Sequence, residues 1–312
     1  MKWLQLILAG LVISGAVAAR ADEHAQPSCA LQSMASLDTQ TLPNGEIAVP
    51  ATLNDTPALL AVDTGSIYSS ISEEAAVEQG AHVQFSPYIG SFMNGVSTNA
   101  FTVLNSFAVG PLRSPKKWSV AIAPDQMLPA SISGYLGPDV MRAYDVEFDF
   151  YHGKFNLFAH TNCAGAVYWT HDAAAVVPMK VADDGHIVVD ATLDGKPVTI
   201  LLDTGSPSSV MSVEAAEKLF GIAKDDQRLK FVRSISLNGG SDTPFYSFPF
   251  SSLSFGAITV ANPKIQLIPQ ENFDPHGRQD AQIVLGMSVL RQLHLYVAYD
   301  QKMLYLSAAE AH

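Results

Sequence analysis

Two aspartates of this sequence could do acid–base chemistry, because they lie in a tetrapeptide that occurs twice. The second copy follows the first by 140 residues, and each copy ends a short apolar run. Two carboxylates held close together do not both ionise easily, so they share one proton. The ionised member can act as a general base on a water molecule while the other acts as a general acid. The two copies are Asp63-Thr64-Gly65-Ser66 and Asp203-Thr204-Gly205-Ser206.

The repetition extends well beyond the two motifs. Residues 45–76 match residues 185–216 at many positions with no gap. A second match pairs Tyr135-Leu136-Gly137 with Val284-Leu285-Gly286 at an offset of 149, so the second unit has gained about nine residues. A simple turn explains one Asp-Thr-Gly, but it does not explain two copies with matching flanks. The sequence therefore predicts two duplicated units, residues 41–160 and 177–310, which meet on a pseudo-two-fold axis with Asp63 and Asp203 together.

Alternating apolar and polar residues predict an all-β fold with a few short helices. In each unit a hairpin is expected to lead into the motif, with turns at Asn54-Asp55 and Asp194-Gly195. Ser72 and Ser212 have the side chains of helix N-caps. The predicted helices are Ser72–Gln79 and Ser212–Leu219, and the predicted strands and hairpins are Ile187–Leu193, Val198–Leu202, Phe101–Val109, Trp118–Ala123, Ala257–Val260, Lys264–Leu267, Tyr144–Phe158 and Leu293–Leu306.

Each unit also carries one Asn-Gly dipeptide about 30–35 residues after its aspartate. Asn-Gly between strands is a strong signal for a hairpin tip, because both residues tolerate positive φ. The plain interpretation is a surface hairpin, and the functional one is a flap that closes over a bound chain. The candidate flap residues are Phe92, Met93, Asn94, Gly95, Leu237, Asn238 and Gly239.

The N-terminal residues and the charge bear on where the protein acts. Residues 1–21 have the pattern of a secretory signal, with Lys2, an apolar stretch and a small-x-small cleavage site, although an uncleaved anchor is the alternative. No other segment is apolar enough to span a membrane. Cleavage would remove Lys2 and Arg20 from the 18 basic residues and none of the 30 acidic ones, leaving a formal charge of −14. This charge argues against nucleic acid or an anionic membrane as the main partner.

The chain has two cysteines, Cys29 and Cys163, one on each side of the first unit. In an oxidising compartment two cysteines are most simply one disulfide. Neither lies in a motif for a catalytic thiol. Residues 22–40 are interpreted as an N-terminal segment or propeptide, and residues 161–176 as a linker.

These motifs resemble the aspartic proteases, in particular the bacterial retropepsin-like branch, with two repeats fused in one chain. The resemblance covers residues 41–310, but neither motif continues into the Ser-Asn-Leu-Trp of pepsins. It implies two acid-protease-like β-barrel lobes with Asp63 and Asp203 as the catalytic pair. It implies that the motif threonines bond across the two-fold axis and that the motif glycines allow a tight turn. The hydroxyls of Ser66 and Ser206 would donate to the outer carboxylate oxygens.

The expected function is that of a hydrolase, a secreted aspartic endopeptidase acting on peptide or protein substrates in the periplasm or outside the cell. The protein is expected to be a monomer that needs no cofactor, and no metal-ligand spacing is present. Two alternatives stay open: a non-catalytic peptide-binding protein on the same fold, and a hydrolase of cell-wall peptides or other amides. An acidic pH optimum is expected, because hydrogen bonds from the two serines would lower the pKa values of the pair.

Overall fold

Short strands are the main regular structure of the described residues, as the alternating sequence predicts. The computed structural model describes residues 31–91, 97–124, 128–129, 131–160, 167–169, 175–236, 242–278 and 280–309. In the strand Ile187–Leu193 the odd-numbered side chains are buried while Asp190 and Thr192 are exposed. This period of two is the signature of a strand with one face on the core. Across the described part of the chain no helix is long and apolar enough to cross a membrane.

The first half of the chain forms one barrel-like lobe and three strands of a further sheet. The strands of the lobe lie in the spatial order β6-β7-β10-β5-β11-β4-β3-β8-β9, with β2 beside β3. The elements are β1 Ser33–Asp38, β2 Gln40–Thr41, β3 Ile47–Leu53, β4 Thr56–Val62, β5 Ser70–Ile71, α1 Glu73–Glu78, β6 Gln84–Ser91, β7 Ser97–Leu104, β8 Phe107–Val109, β9 Leu112–Arg113, β10 Trp118–Ile122, β11 Gly134–Leu136, α2 Pro138–Met141, β12 Asp145–Asp149 and β13 Lys154–Phe158.

The second half repeats this plan. Its motif strand β16 lies between β15 and β23, as β4 lies between β3 and β11 in the first lobe. A short 3₁₀ helix, Gln270–Asn272, follows β22. The elements are β14 Ala175–Val181, β15 Ile187–Leu193, β16 Lys196–Leu202, β17 Ser209–Ser212, α3 Val213–Phe220, β18 Lys230–Ser236, β19 Asp242–Ser247, β20 Ser252–Phe255, β21 Ile258–Ala261, β22 Ile265–Ile268, β23 Ile283–Leu285, α4 Met287–Leu290, β24 Leu293–Ala298 and β25 Met303–Ala308.

The last hairpins of the two halves join in one sheet that connects the lobes. Its strand order is β1-β13-β12-β24-β25-β14, and β12 pairs antiparallel with β24, with Val146 opposite Val297. Strand β1 comes from the segment expected only to precede the first lobe. Strand β14 begins at Ala175, inside the expected linker. Both strands cover edges of the hairpins, so residues of both segments belong to this sheet.

The two arginines that match in the repeat tie the lobes together reciprocally. Arg142 Nη1 donates to the carbonyl of Asp183 at 2.9 Å, and Arg291 Nη2 donates to the carbonyl of Gly45 at 2.5 Å. Each arginine therefore holds the turn that begins the motif hairpin of the opposite repeat.

Most predicted elements are confirmed, including the N-caps. The Ser72 hydroxyl accepts the Ala75 N–H at 2.9 Å. One strand was predicted too long, because Phe101–Val109 divides into β7 and β8. The N–H groups of Asn105 and Ser106 point to the Asn54 side-chain oxygen, at 2.7 and 3.3 Å. A side chain on a neighbouring turn thus replaces the strand ladder at this point.

Candidate active site

The two Asp-Thr-Gly motifs begin where β4 and β16 end. Behind them run β11 and β23, each parallel to its motif strand, with Leu136 opposite Val62 in the first lobe. The Asp63 N–H donates to the carbonyl of Leu136 at 3.0 Å, and the Asp203 N–H donates to the carbonyl of Leu285 at 3.0 Å. The apolar-apolar-Gly segments therefore pack behind the motifs.

Glycine is required after β11 and β23 because the chain passes very close to the motif loop. A Cβ on Gly137 would lie 2.7 Å from the Ser69 nitrogen, where the Gly137 N–H donates to the Ser69 hydroxyl at 2.9 Å. The second lobe repeats this bond between Gly286 and Ser209 at 3.0 Å. A larger residue at either position would push the motif loop forward.

The motif threonines lock the two loops across the pseudo-two-fold axis. The Thr64 hydroxyl donates to the carbonyl of Leu202 at 2.9 Å and accepts the Thr204 N–H at 3.0 Å. The Thr204 hydroxyl donates to the carbonyl of Val62 at 2.7 Å and accepts the Thr64 N–H at 3.1 Å. This reciprocal set gives the threonines the predicted cross-axis role.

The motif glycines bring the two carboxyl groups together. The Gly65 N–H donates to Asp63 Oδ1 at 2.8 Å, and the Gly205 N–H donates to Asp203 Oδ1 at 3.0 Å. A Cβ on Gly65 would overlap the Asp203 carboxyl group, and a Cβ on Gly205 would overlap that of Asp63. Each carboxyl group thus lies against the opposite motif, and both aspartates are buried. The structure places Asp63 and Asp203 in one site.

The motif serines have a different role from the one expected. The Ser66 hydroxyl donates to the backbone carbonyl of Asp63 at 3.1 Å, and the Ser206 hydroxyl donates to the carbonyl of Ser208 at 2.9 Å. Neither hydroxyl donates to a carboxylate oxygen, because each closes its own loop instead. It is the Ser66 backbone N–H that donates to Asp63 Oδ1, at 3.0 Å. The prediction that these hydroxyls donate to the carboxylates and lower the pKa values of the pair is therefore wrong.

A pair of antiparallel strands flanks each predicted flap tip. Strand β6 pairs with β7, with Ser91 opposite Ser97, and β18 pairs with β19, with Ser236 opposite Asp242. The predicted tips, Phe92, Met93, Asn94, Gly95, Leu237, Asn238 and Gly239, lie outside the described residues, as do Cys29 and Cys163. The flap role and the disulfide stay predictions.

Burial and the proximity of other acidic groups raise the pKa values of several side chains in the site. Burial, followed by the charge of Asp203, raises the pKa of Asp63 to about 8. Burial is also the main cause that raises the pKa of Glu46 to about 7, and Glu46 Oε2 is buried without a hydrogen-bond partner. Burial and the nearby carboxylates raise the pKa of Tyr135 as well. A pair with one raised pKa can hold a proton at neutral pH, as general acid catalysis requires.

Two histidines that were not predicted complete the site. His186 is fully buried, and its Nε2 lies 2.7 Å from the carbonyl oxygen of Gly65 in the opposite lobe. The His276 ring stacks on it with centroids 5.3 Å apart, and His276 Nε2 lies 3.4 Å from Asp203 Oδ2. The repeat contains one signal for His186, because position 186 corresponds to position 46 at the offset of 140. Two ionisable residues of different type, Glu46 and His186, therefore occupy equivalent buried positions. Nothing in the sequence signals His276.

A sequence model of the family described as "Aspartyl protease" matches residues 49–140 and 189–289. Each matched stretch contains one Asp-Thr-Gly motif and one apolar-apolar-Gly segment. A protein of Sinorhizobium sp, described as an uncharacterized protein in the cobV 5′ region, is 30% identical over 113 residues, which cover 36% of this chain and 43% of that protein. The chain thus spans less than half the length of that relative.

Several solved structures share the two-lobed fold. The aspartic proteinase from Irpex lacteus is 13% identical, with a TM-score of 0.55 over 88% of this chain and 97% of that one. Basic 7S globulin from soybean is 12% identical, with a TM-score of 0.52 over 90% and 96%. Conglutin gamma from lupine seeds is 13% identical, with a TM-score of 0.50 over 88% and 95%. At these identities the likeness establishes the fold alone.

Proposed function

The chain belongs to the aspartyl protease family, and from that premise we propose that it is an exported aspartic endopeptidase. The observation that carries the proposal is the pair of buried carboxyl groups, each held by the N–H of its own motif glycine and pressed against the opposite motif. A binding protein on this fold would need neither the shared site nor the raised pKa of Asp63.

The proposed reaction is hydrolysis of a peptide bond by water, with one carboxyl group ionised and the other protonated. The carboxylate takes a proton from water as the water oxygen bonds to the peptide carbonyl carbon. The protonated carboxyl group gives its proton to the carbonyl oxygen, so a neutral gem-diol forms and the charge moves to the other aspartate. The carboxyl group that took the proton from water then gives it to the peptide nitrogen, while the other carboxylate takes a proton from a gem-diol hydroxyl. The carbon–nitrogen bond breaks, which yields an acid and an amine and returns the pair to its starting state.

The rigid loops are what this chemistry needs from the protein. The four threonine hydrogen bonds fix the distance between the motifs, and the backbone N–H groups fix the direction of each carboxyl group. Such fixed positions convert a reaction between separate molecules into one within a single complex. The two hairpins β6–β7 and β18–β19 would lie over an extended peptide, so peptides and proteins are the proposed substrates.

Export is part of the proposal and rests on the signal-like pattern of residues 1–21. The N-terminal sequence of protein recovered from a periplasmic fraction would begin near Asp22 if the signal is cleaved.

The activity is tested with purified protein, a peptide library and mass spectrometry of the products. Asp63→Asn and Asp203→Asn should each abolish cleavage while circular dichroism stays unchanged, because the pair works as a unit. Asp55→Asn is the matched control, since Asp55 lies in an exposed ion pair with Arg113. Cleavage by either active-site variant at the wild-type rate would refute the proposal.

A further inference from the structure

The two aspartates do not have equivalent hydrogen-bond partners, although the repeat makes their motifs equivalent. Asp63 Oδ1 accepts two backbone N–H groups, from Gly65 and Ser66. Among the described residues, Asp203 Oδ1 accepts only the Gly205 N–H, because the Ser206 N–H is directed to the backbone carbonyl of Asp203 at 3.3 Å. The other carboxyl oxygen of Asp203, Oδ2, lies 3.4 Å from His276 Nε2.

The segment around His276 is built to hold this ring in place. His276 has φ of +52°, a conformation that non-glycine residues rarely adopt. The Asp274 side chain fixes it by accepting the His276 N–H at 2.8 Å. The His276 side chain is only 10% exposed, which removes it from most of its water. An uncommon backbone conformation at a buried polar contact points to function.

A second set of contacts supports the ring from behind. His276 stacks on His186 with an interplanar angle of 13°. His186 Nδ1 lies 3.0 Å from Asp184 Oδ1, and Arg278 forms an ion pair with Asp184. Since Arg278 lies on the same segment as His276, this segment is anchored to the 184–186 turn by both stacking and charge.

The groups facing His276 are mostly acidic. Asp203 and Asp63 face His276 from the two motifs, and Asp274 lies on the same segment as His276. Glu46 lies near Asp203, whose charge raises the pKa of Glu46. The remaining titratable neighbours, Asp184, Arg278 and His186, belong to the contacts that support the ring. Burial opposes the charged imidazolium, but the hydrogen bond to Asp203 and the charges of the acidic groups outweigh it and raise the pKa of His276.

We propose that His276 is a positioning residue that, as an imidazolium, holds Asp203 as the ionised member of the pair. Asp203 is then the general base and Asp63 the general acid. This inference rests on the proposed function, since it assigns the two roles within that reaction. It also explains how two carboxyl groups in equivalent motifs acquire different roles: the difference comes from His276, a side chain of the second lobe that lies against Asp203.

The first experiment measures the ionisation of His276 by NMR without reference to activity. The His276 resonance is assigned as the one missing from His276→Asn, a variant whose side chain tolerates positive φ and is too short to reach Asp203. Unit charges 3.4 Å apart interact by about one pKa unit even at the dielectric constant of water. The His276 pKa should therefore fall by about one unit or more in Asp203→Asn. In Asp63→Asn the His276 pKa should fall less, because the charge of Asp63 is a smaller cause of the raised pKa than the hydrogen bond and charge of Asp203.

The second experiment measures kcat/KM against pH. In His276→Asn the acid limb should move upward by about one pH unit or more, because the first ionisation of the pair loses a cationic partner. KM should stay close to the wild-type value. His160→Gln is the matched control, since His160 pairs with Asp145 at 3.0 Å away from the motifs, and its profile should match wild type.

The outcomes separate the inference from the proposed function. An unmoved acid limb in His276→Asn overturns the inference, and so does an equal fall of the His276 pKa in both aspartate variants. If the wild type cleaves no peptide, the proposed function fails, while the NMR comparison still decides whether His276 selects Asp203 as the anion.

Discussion

Replacing Thr204 by Val tests whether the cross-axis hydrogen bonds hold the two lobes at the site. The substitution keeps the β-branched shape but removes the hydroxyl, which donates to the carbonyl of Val62 and accepts the Thr64 N–H. Two buried hydrogen bonds are lost, and the Thr64 N–H loses the partner it has. A net hydrogen bond contributes about 1 kcal/mol, and an unpaired buried polar group costs about 1–3 kcal/mol. The free energy of unfolding should fall by about 2–4 kcal/mol.

Two other threonines of the chain supply matched controls. Thr102 is buried and its hydroxyl makes a single hydrogen bond, to the carbonyl of His82 at 2.9 Å. Thr102→Val should therefore cost about 1 kcal/mol and leave activity unchanged. The buried Thr52 hydroxyl has no hydrogen-bond partner among the residues that the structure describes, so Thr52→Val should be neutral or stabilising.

The free energy of unfolding of the wild type and of each threonine variant is measured by urea unfolding at one pH. The kcat of each protein is then measured on one peptide. Thr204→Val should also lower kcat at least tenfold, because small displacements of catalytic groups have large effects on rate. Thr64→Val should have the same effects as Thr204→Val. The double variant should lose less free energy of unfolding than the two single variants together, since the two hydroxyls belong to one network. A Thr204→Val protein no less stable than Thr102→Val, with an unchanged kcat, would refute this account of the motif threonines.

Three further predictions concern ionisation and covalent structure. The alkaline limb of the pH–rate profile should lie near pH 8, because Asp63 holds its proton up to about that pH; a limb well below pH 7 would contradict this. Glu46→Gln should make the protein more stable than wild type at pH 8, by up to about 3 kcal/mol. The pKa of Glu46 is raised to about 7 in the folded protein. The stability of the wild type therefore falls as the pH rises from the ordinary glutamate range to about 7. Urea unfolding at pH 5 and pH 8 tests this, since the difference in free energy of unfolding between Glu46→Gln and wild type should be smaller at pH 5. Thiol titration of denatured, unreduced exported protein should find no free thiol if Cys29 and Cys163 are bonded, and two thiols would refute the disulfide.

Local sequence determined the elements and the identity of the two aspartates that meet in the candidate site. Alternation of apolar residues defines strands such as β15, and serine at the start of an apolar run defines the N-caps of α1 and α3. Duplication then supplied long-range information, since two matched motifs must occupy matched places. Asp63 and Asp203 could therefore be assigned to one site before any contact between them was known.

Only the tertiary structure decided what surrounds that pair. Residue 276 lies 73 positions beyond Asp203, in a segment with no periodic pattern, and its approach depends on how the chain returns from β22 to β23. The serine hydroxyls show the same limit, because whether each donates to a carboxylate or closes its own loop depends on sub-ångström loop geometry. Residue types and periodicity fix which groups are available and on which element they lie. The final hydrogen-bond partner of a polar side chain is fixed only when packing selects among several acceptors within reach.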